Sequence, residues 1–381
     1  MIQLLREWPP GYGGVERVAH ELAVALTAKG DSVTTFSLRA ASAGGNGHCE
    51  RDPLPVNYPR CRLTALSFGK LLVVLPSRRL WQLLRSPEPL LIHLPCPMVL
   101  LLGMLARLLR PTRRICLYWH AFLGSERGPV AVFQAAYERL ALCWMRLAQV
   151  SVVTTSPVLA DGLREEGIAA GRIAVLPCCL PEATELLCLQ QRRAQLASSR
   201  PAARGIRLVF VGRLGTYKRV DLLLRAFAGS AAAELHIIGA GDTTEIAALI
   251  AQCVPAHQRV VVHGRLDERQ KVAVIASCDA LVLPSYRSNE AFGIVQLEAM
   301  ACGLAVCAPQ IPRSGLGWVG SLDLLGGSSE PVEAMRAAIA ALSCPDTLQQ
   351  CRDSCFARYQ QLFARQVWLA ELEVCRAMVA G

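Results

Sequence analysis

Short apolar runs alternate along the chain with longer stretches whose apolar positions recur every three or four residues. Unbroken apolar runs suit strands buried in a sheet, and a 3.6-residue period suits helices packed along one face. In the first half, residues 2–5, 32–36, 90–94, 115–118, 150–154 and 172–176 read as strands. Residues 15–29 read as a helix that sets Ala19, Leu22, Ala23 and Leu26 on one side. Residues 182–205 are richer in Gln, Arg, Ala and Ser, and mark a boundary with room for one helix. The alternation then restarts. Strands at 207–211, 234–238, 260–263, 280–283 and 304–307 are separated by helices at 220–227, 244–253, 268–277 and 293–301. A last helical stretch covers 349–379.

This pattern predicts the α/β class with two doubly wound units, each a mostly parallel sheet covered on both faces. The expected division is 1–180, 181–348, and a helical segment 349–381 packing across both. Open parallel sheets bind ligands beyond the carboxyl ends of their strands. Two such units imply a cleft, and the loops after strands are where its chemistry is expected.

Composition narrows the classes. The chain has 381 residues, 52% hydrophobic and 18% charged, which supports sizeable cores and excludes intrinsic disorder as an overall reading. Forty Lys and Arg against thirty Asp and Glu leave a net charge of +10, which suits an anionic partner without naming it. The positive residues are dispersed and no aromatic–basic motif or reading helix occurs, so nucleic acid is not an expected partner. The sixteen cysteines include adjacent Cys178 and Cys179 and no CxxC pair. They read as buried thiols in a reducing compartment. The opening residues lack the pattern of a signal peptide. The longest membrane candidate, 89–106, is interrupted by prolines, and its unbroken part falls short of the ~20 residues that a span needs. The expected location is cytoplasmic, with peripheral contact at an anionic inner membrane face. His20, His48, His93, His236, His257 and His263 lack metal-ligand spacing, so no metal is expected.

Five loops carry candidate chemistry. Gly11-Tyr12-Gly13-Gly14 follows a strand and opens a helix. It reads as a loop that closes on phosphate or sugar, or as a structural turn. A dinucleotide fingerprint fits poorly, since its third glycine falls at Glu16. Gly212 and Arg213 follow another strand, with Lys218 just beyond; the two cations suit a diphosphate clamp or a solvated basic loop. Gly239-Ala240-Gly241-Asp242 lines a base or ribose pocket, or simply turns the chain. His120 stands at a strand's carboxyl end, where both a structural and a functional reading are open. The richest stretch is 284–303. Glu290 precedes its helix, and Glu298 lies within it among apolar neighbours, needing either ligand hydroxyls or a structural salt bridge. Backbone N–H groups at Phe292, Gly293 and Ile294 could meet a phosphate.

Taken together, PPGYGGVER near the start, YWH at 118–120, TTSP at 154–157, FVGRLGTYKRVD at 210–221 and LPSYRSNEAFGIVQLEAMACG at 283–303 carry a family likeness. The chain resembles the bacterial retaining glycosyltransferases of family 4 (group 1), with the GT-B fold of two Rossmann-like domains facing a central cleft. The resemblance runs from Ile2 to about Leu342. It implies that Arg213 and Lys218 neutralise the diphosphate of a nucleotide sugar and stabilise the leaving group. It implies that Glu298 accepts hydrogen bonds from the ribose, that Glu290 orients the transferred sugar, and that His120 touches the sugar near the reacting carbon. Phe292, Gly293 and Ile294 would meet the phosphates, with Gly212, Gly239 and Gly241 on the donor side and Gly13 and Gly14 closing over the diphosphate. Retention, independence of metal and the absence of any cofactor besides the donor substrate are likewise implied. The variants most like this chain build bacterial surface polysaccharides, often from GDP-mannose, which makes GDP-mannose the expected donor. Two stretches depart from the family pattern. Leu176-Pro177-Cys178-Cys179 replaces a Pro-x-Gly turn, and the stretch from Pro309 replaces a T-G-rich loop, which bears on activity or donor choice.

The acceptor half is more individual. The stretch 70–85 interleaves apolar and basic residues, and 98–109 is followed by Arg110, Arg113 and Arg114. These read either as interior helices with basic ends or as a surface for an anionic bilayer, with Trp81 at the interface. A polyprenyl-diphosphate-linked glycan acceptor would suit both the apolar surface and the charge. The alternatives are a soluble transferase using UDP- or ADP-glucose with a small or glucan acceptor, and a catalytically silent GT-B binding protein.

Overall fold

A computed structural model of the chain describes residues 1–7, 13–40, 56–68, 71–124, 128–197, 205–215, 217–320, 322–324, 326 and 330–380. Gly11, Tyr12, His48, Lys70 and Thr216 lie outside the described residues. The chain divides into two compact units, Met1–Leu176 with Leu369–Gly381, and Pro177–Trp368.

The first unit holds an eight-stranded sheet: β1 (Ile2–Leu5), β2 (Thr34–Ala40), β3 (Arg60–Phe68), β4 (Leu71–Val74), β5 (Leu90–Leu94), β6 (Ile115–Trp119), β7 (Ser151–Thr154) and β8 (Ile173–Val175). Their order is β4-β3-β2-β1-β5-β6-β7-β8. Every neighbouring pair is parallel except β3 with β4. Each of β1, β5 and β6 is buried throughout, as parallel strands covered on both faces are. β3 and β4 were not expected. The β-branched and leucine side chains of Leu71–Val74 suit an edge strand, and the antiparallel pairing with β3 takes them out of the helix expected over 70–85. A helix does follow at Arg78–Arg85, where Leu80 N–H donates to the Ser77 hydroxyl oxygen at 3.2 Å. Arg113 also departs from expectation. It is 2% exposed rather than part of a basic surface. Its Nε donates to the Glu88 carbonyl at 2.8 Å and its Nη1 to the Leu83 carbonyl at 2.7 Å.

The second unit holds six parallel strands: β9 (Arg207–Val211), β10 (Glu234–Ile238), β11 (Arg259–Gly264), β12 (Ala280–Val282), β13 (Ala305–Ala308) and β14 (Leu322–Asp323). Their order is β11-β10-β9-β12-β13-β14. Leu208, Phe210, Phe227, Leu235, Ile237 and Val282 belong to the core beneath them. Local signals start the helices where the pattern placed them. Asp267 and Gln270 form a capping box before the helix Glu268–Ser277, and Asp242 caps the helix Thr243–Cys253. The polar boundary stretch folds as one helix, Glu182–Ala197.

The division differs from the expected one at two points. Leu176 N–H still bonds to the Thr154 carbonyl at 2.8 Å, so the first sheet keeps the chain until there and releases it at Pro177. The expected helix over 349–379 is two helices, Pro345–Leu362 and Arg365–Ala380, and the unit boundary falls inside the second.

Both sheets have one place where strand order reverses, between β1 and β5 in the first and between β9 and β12 in the second. Chains leaving neighbouring strands there diverge to opposite faces and open a crevice at the carboxyl ends. The loops after β9 and β12, and those after β1, β5 and β6, are therefore placed for ligand chemistry.

Candidate functional site

In the second unit the loops after β9 and β12 meet through an ion pair. Lys218 Nζ lies 3.0 Å from Glu290 Oε2, with the two side chains 14% and 10% exposed. Tyr217 joins them. Burial raises its phenol pKa, and the Glu290 carboxylate raises it further by charge and by hydrogen bonding, while Arg213 opposes the shift. Tyr217 therefore stays a neutral phenol between a carboxylate and a guanidinium. Arg213 itself is exposed. The arrangement presents two cations against one carboxylate at the crevice of a parallel sheet, a setting suited to an anionic group.

The glycines of this region hold three loops together. Gly212 N–H donates to the Ile238 carbonyl at 2.9 Å, Leu214 N–H to the Ala240 carbonyl at 3.0 Å, and Gly239 N–H to the Gly264 carbonyl at 2.8 Å. A Cβ at Gly239 would fall 1.8 Å from the Gly212 carbonyl oxygen, so only glycine permits this approach. A Cβ at Gly241 would stand 2.7 Å from the Leu214 Cβ. The turn reading of Gly239 and Gly241 thus has a contact that demands it.

Beyond Glu290, Gly293 takes a φ of +69°, which turns the chain into the helix Val295–Ala301. Gln296 N–H and Leu297 N–H donate to the carbonyls of Gly293 and Ile294 at 2.9 Å. The N–H groups just before them precede the first helical bond, as at any helix start. The Phe292 ring is core. It meets Phe363 edge-on with centroids 5.8 Å apart, so only its backbone can serve a ligand. Gln296 Nε2 donates to the Phe292 carbonyl at 2.6 Å and to the Leu316 carbonyl at 3.1 Å, fixing the turn. The loop from Pro309 is tied to the same place, for the Ser314 hydroxyl donates to the Glu290 carbonyl at 2.8 Å. The departure from the family pattern here is thus an ordered support for Glu290.

Glu298 takes the salt-bridge alternative. Its side chain is 2% exposed and its Oε2 lies 2.8 Å from Lys271 Nζ; Oε1 accepts from the same nitrogen at 2.9 Å. Lys271 also pairs with Glu268 at 2.7 Å. Burial alone would depress the Lys271 pKa, but the charges of Glu298 and Glu268 outweigh it and raise the value above that of an ordinary lysine.

His120, Gly13 and Gly14 belong to the first unit. His120 is 7% exposed and stacks on Tyr118, with centroids 4.3 Å apart and planes 6° from parallel. Its backbone N–H donates to the Leu94 carbonyl at 3.0 Å, extending the β5–β6 ladder by one residue. Burial and the neighbouring His93 hold its pKa well below that of an ordinary histidine, so the ring is neutral at pH 7. Gly13 caps the helix Gly14–Ala28 in extended conformation. The Glu16 carboxylate folds back over it, 2.0 Å from where a Cβ would stand. In this conformation the chain itself places an acidic group at the helix start. A phosphate approaching Gly13 and Gly14 would have to displace it.

Sequence reasoning missed Tyr217, Lys271, Ser314, His93 and Gln3 as parts of these clusters. A signal existed for Lys271, which follows Glu268 by one helical turn, and for His93, a polar residue inside a fully buried strand. Gln3 carried the same signal as His93, a polar side chain inside the fully buried β1, and Ser314 carried none.

Residues 13–179 match the family described as Glycosyl transferase 4-like domain, and residues 191–314 match Glycosyl transferases group 1. The chain is 32% identical over 159 residues to D-rhamnosyltransferase WbpZ of Pseudomonas aeruginosa, a match that covers 41% of each chain. It is 23% identical over 337 residues to O-antigen chain mannosyltransferase C of Escherichia coli, 88% of this chain and 85% of that one. In structure it is similar to sucrose-phosphate synthase from Thermosynechococcus elongatus, with a TM-score of 0.70 and 22% identity over 100% of this chain and 99% of that one. The parallel sheets with β1/β5 and β9/β12 reversals are accordingly those of the GT-B fold. With the two family matches lying one on each sheet, the chain belongs to the group 1, family 4-like glycosyl transferases.

Proposed function

We propose that the chain transfers a hexose, with retention of configuration, from a nucleotide sugar to a lipid-linked glycan in the synthesis of a surface polysaccharide. The observation that carries this reading is the Lys218–Glu290 pair, with Tyr217 and Arg213 beside it, at the β9/β12 crevice of a chain of this family. In this reading Arg213 and Lys218 face the donor diphosphate. As the sugar–phosphate bond breaks, negative charge grows on the leaving group, and preplaced cations stabilise that charge more than the bound donor. The Lys218 ammonium has three N–H bonds, so it can keep Glu290 and still donate to phosphate. Glu290, an acceptor held by Lys218 and by the loop at Ser314, orients sugar hydroxyls. Neutral His120 offers a further acceptor to the sugar. In this reading the charge on the leaving group is met by Arg213 and Lys218 and not by a metal ion. The Glu298 carboxylate would take the ribose only by sharing itself with Lys271.

GDP-mannose is the proposed donor, on the likeness to the E. coli mannosyltransferase. A lipid-linked acceptor is supported by the surface of the first unit. No helix among the described residues is long and apolar enough to cross a membrane. The helix Pro129–Ala148 nevertheless exposes Val130, Val132, Phe133, Leu140 and Leu147. Trp144 of that helix lies near Gly103 of Pro97–Leu109, which exposes Leu101 and Leu108. Exposed apolar side chains on these two helices, with Arg107, Arg110, Arg139 and Arg146 on the same two helices and the turn after the first, suit peripheral docking on an anionic inner leaflet.

The test is donor turnover. The protein is mixed in parallel with GDP-mannose, UDP-glucose, UDP-galactose, UDP-N-acetylglucosamine, GDP-fucose and ADP-glucose, each with bacterial lipid extract, and nucleoside diphosphate release is followed. Release from GDP-mannose that requires lipid and is lost in Glu290→Gln is the expected result. Release from another donor corrects the sugar, and release without lipid corrects the acceptor. Neither release nor donor binding in any mixture would overturn the enzymatic reading.

A further inference from the structure

Three side chains of the first unit form one hydrogen-bonded line. Gln3 comes from β1, His93 from β5, and His120 from the end of β6, and the order β1-β5-β6 sets them side by side. Gln3 Nε2 donates to the Ala19 carbonyl at 3.3 Å. Gln3 Oε1 lies 2.8 Å from His93 Nε2. His93 Nδ1 lies 2.9 Å from His120 Nε2. Gln3 is 0% exposed and His93 2% exposed.

The direction of every proton in this line follows from its first member. The Ala19 carbonyl can only accept, so the Gln3 amide must present its nitrogen there and its oxygen to His93. The Gln3 oxygen can only accept, so His93 carries a proton on Nε2. A neutral His93 then has a bare Nδ1, which accepts, so His120 must carry its proton on Nε2. Both rings are neutral at pH 7, since burial holds the His93 pKa down to about 3 and the His120 pKa well below the ordinary value. What remains is His120 Nδ1, a lone pair that receives no hydrogen bond from the described residues.

We propose that Gln3 and His93 are positioning residues that hold His120 as the neutral Nε2–H tautomer, with Nδ1 as a fixed hydrogen-bond acceptor toward substrate. The role toward substrate rests on the transfer reaction proposed above; the tautomer does not. The lone pair selects a ligand group that can donate. It suits a sugar hydroxyl and disfavours a carboxylate or phosphate oxygen, which would put two acceptors face to face. The group taken at this contact is accordingly a sugar hydroxyl and not a charged oxygen. The stack of Tyr118 on His120 fixes the ring plane while the line fixes its proton.

The test is a long-range proton–nitrogen correlation spectrum of the full chain carrying 15N-histidine, at neutral pH, with His120→Ala to assign the signals. The expected spectrum has a protonated Nε2 and a bare Nδ1 on His120. In His93→Leu the line is cut and the expected result is a mixture of tautomers. In His93→Asn the amide oxygen stands near the place of the lost Nδ1, so the single tautomer returns. On donor turnover, His93→Leu is expected to lower kcat about 10-fold or more with little change in KM, and His93→Asn to recover most of it. A proton on His120 Nδ1 in the unaltered protein, or a spectrum and kcat unchanged in His93→Leu, would overturn the proposal. Should no donor be turned over, the spectrum still decides the tautomer, so failure of the line and failure of the transferase reading are distinct.

Discussion

Lys271 shows how much a buried acidic position depends on one partner. Glu298 is 2% exposed and Lys271 11%, so removing the ammonium leaves a carboxylate in an apolar helix without its counter-charge. Lys271→Met is expected to destabilise the second unit by about 3–5 kcal/mol, and Lys271→Met with Glu298→Leu to regain most of that. Urea unfolding of both variants is the check, and equal midpoints would show that the pair carries no such weight. Because the folded pKa of Lys271 is raised above 10.5, its contribution is complete below that pH and is lost only as pH climbs past it. His93 behaves in the opposite sense. Its pKa falls from 6.5 to about 3 on folding, so its share of stability is present above pH 6.5 and drains away between pH 6.5 and 3. The expected slope is about 1.4 kcal/mol per pH unit for this one ring. In His93→Asn, urea stability measured from pH 5.5 to 4 should be flatter by about that slope, with a smaller difference near pH 7. The residues facing His93 here are Gln3, Tyr118 and His120. Glu290 was legible as a candidate because it sits after a strand and before a helix. Its partner Lys218 was legible only as a cation, since the turn that joins them is made by folding.

At the scale of elements, legibility followed burial. β9, β10, β12 and β13 lie inside a parallel sheet and read as nearly unbroken apolar runs. β3 mixes arginines and exposed residues into its pattern, β4 is an edge strand, and β14 has two residues, so none offers a run long enough to stand out. The helix Pro129–Ala148 posed a different problem. Its apolar residues ring the helix, because some are buried and others face outward. Tyr137, Ala141, Leu142 and Met145 are buried, whereas Phe133, Leu140 and Leu147 are exposed. Phe133→Glu and Leu140→Glu on this outer face are expected to weaken binding to vesicles of anionic phospholipid about 10-fold each, with unfolding midpoints little changed. Co-sedimentation at fixed salt measures this, and equal binding by all three proteins would remove this helix from the membrane-facing surface. The cysteines followed burial too. Most of the described ones are buried, and no disulfide joins any of the described ones. Burial pushes the Cys278 thiol up to about 12, which leaves it protonated and unreactive.

At the scale of the whole molecule, alternating strands and helices were enough to forecast two doubly wound units, yet not where the last helix belongs. An amphipathic pattern tells which face is buried and not against what. Leu372 and Cys375 are 1% and 3% exposed and belong to the first unit, whereas Arg365 donates to the Leu180 carbonyl at 3.0 Å within the second. Leu372 and Cys375 line a cavity of about 680 Å³ with Leu22, Leu26, Leu91 and Tyr118. Cutting the chain after Trp368 would expose that apolar floor. The expected result is loss of the first unit's cooperative unfolding transition with that of the second largely kept, followed by near-ultraviolet circular dichroism and dye binding; two intact transitions would contradict it. The division inside the helix Arg365–Ala380 also sets an order of events in synthesis. β1 to β8 leave the ribosome before the second unit, but the helix that lines the cavity with Leu22, Leu26 and Leu91 leaves after it. The first unit is thus begun before the second and completed after it, and while the second is being made its apolar floor is open to other nascent chains.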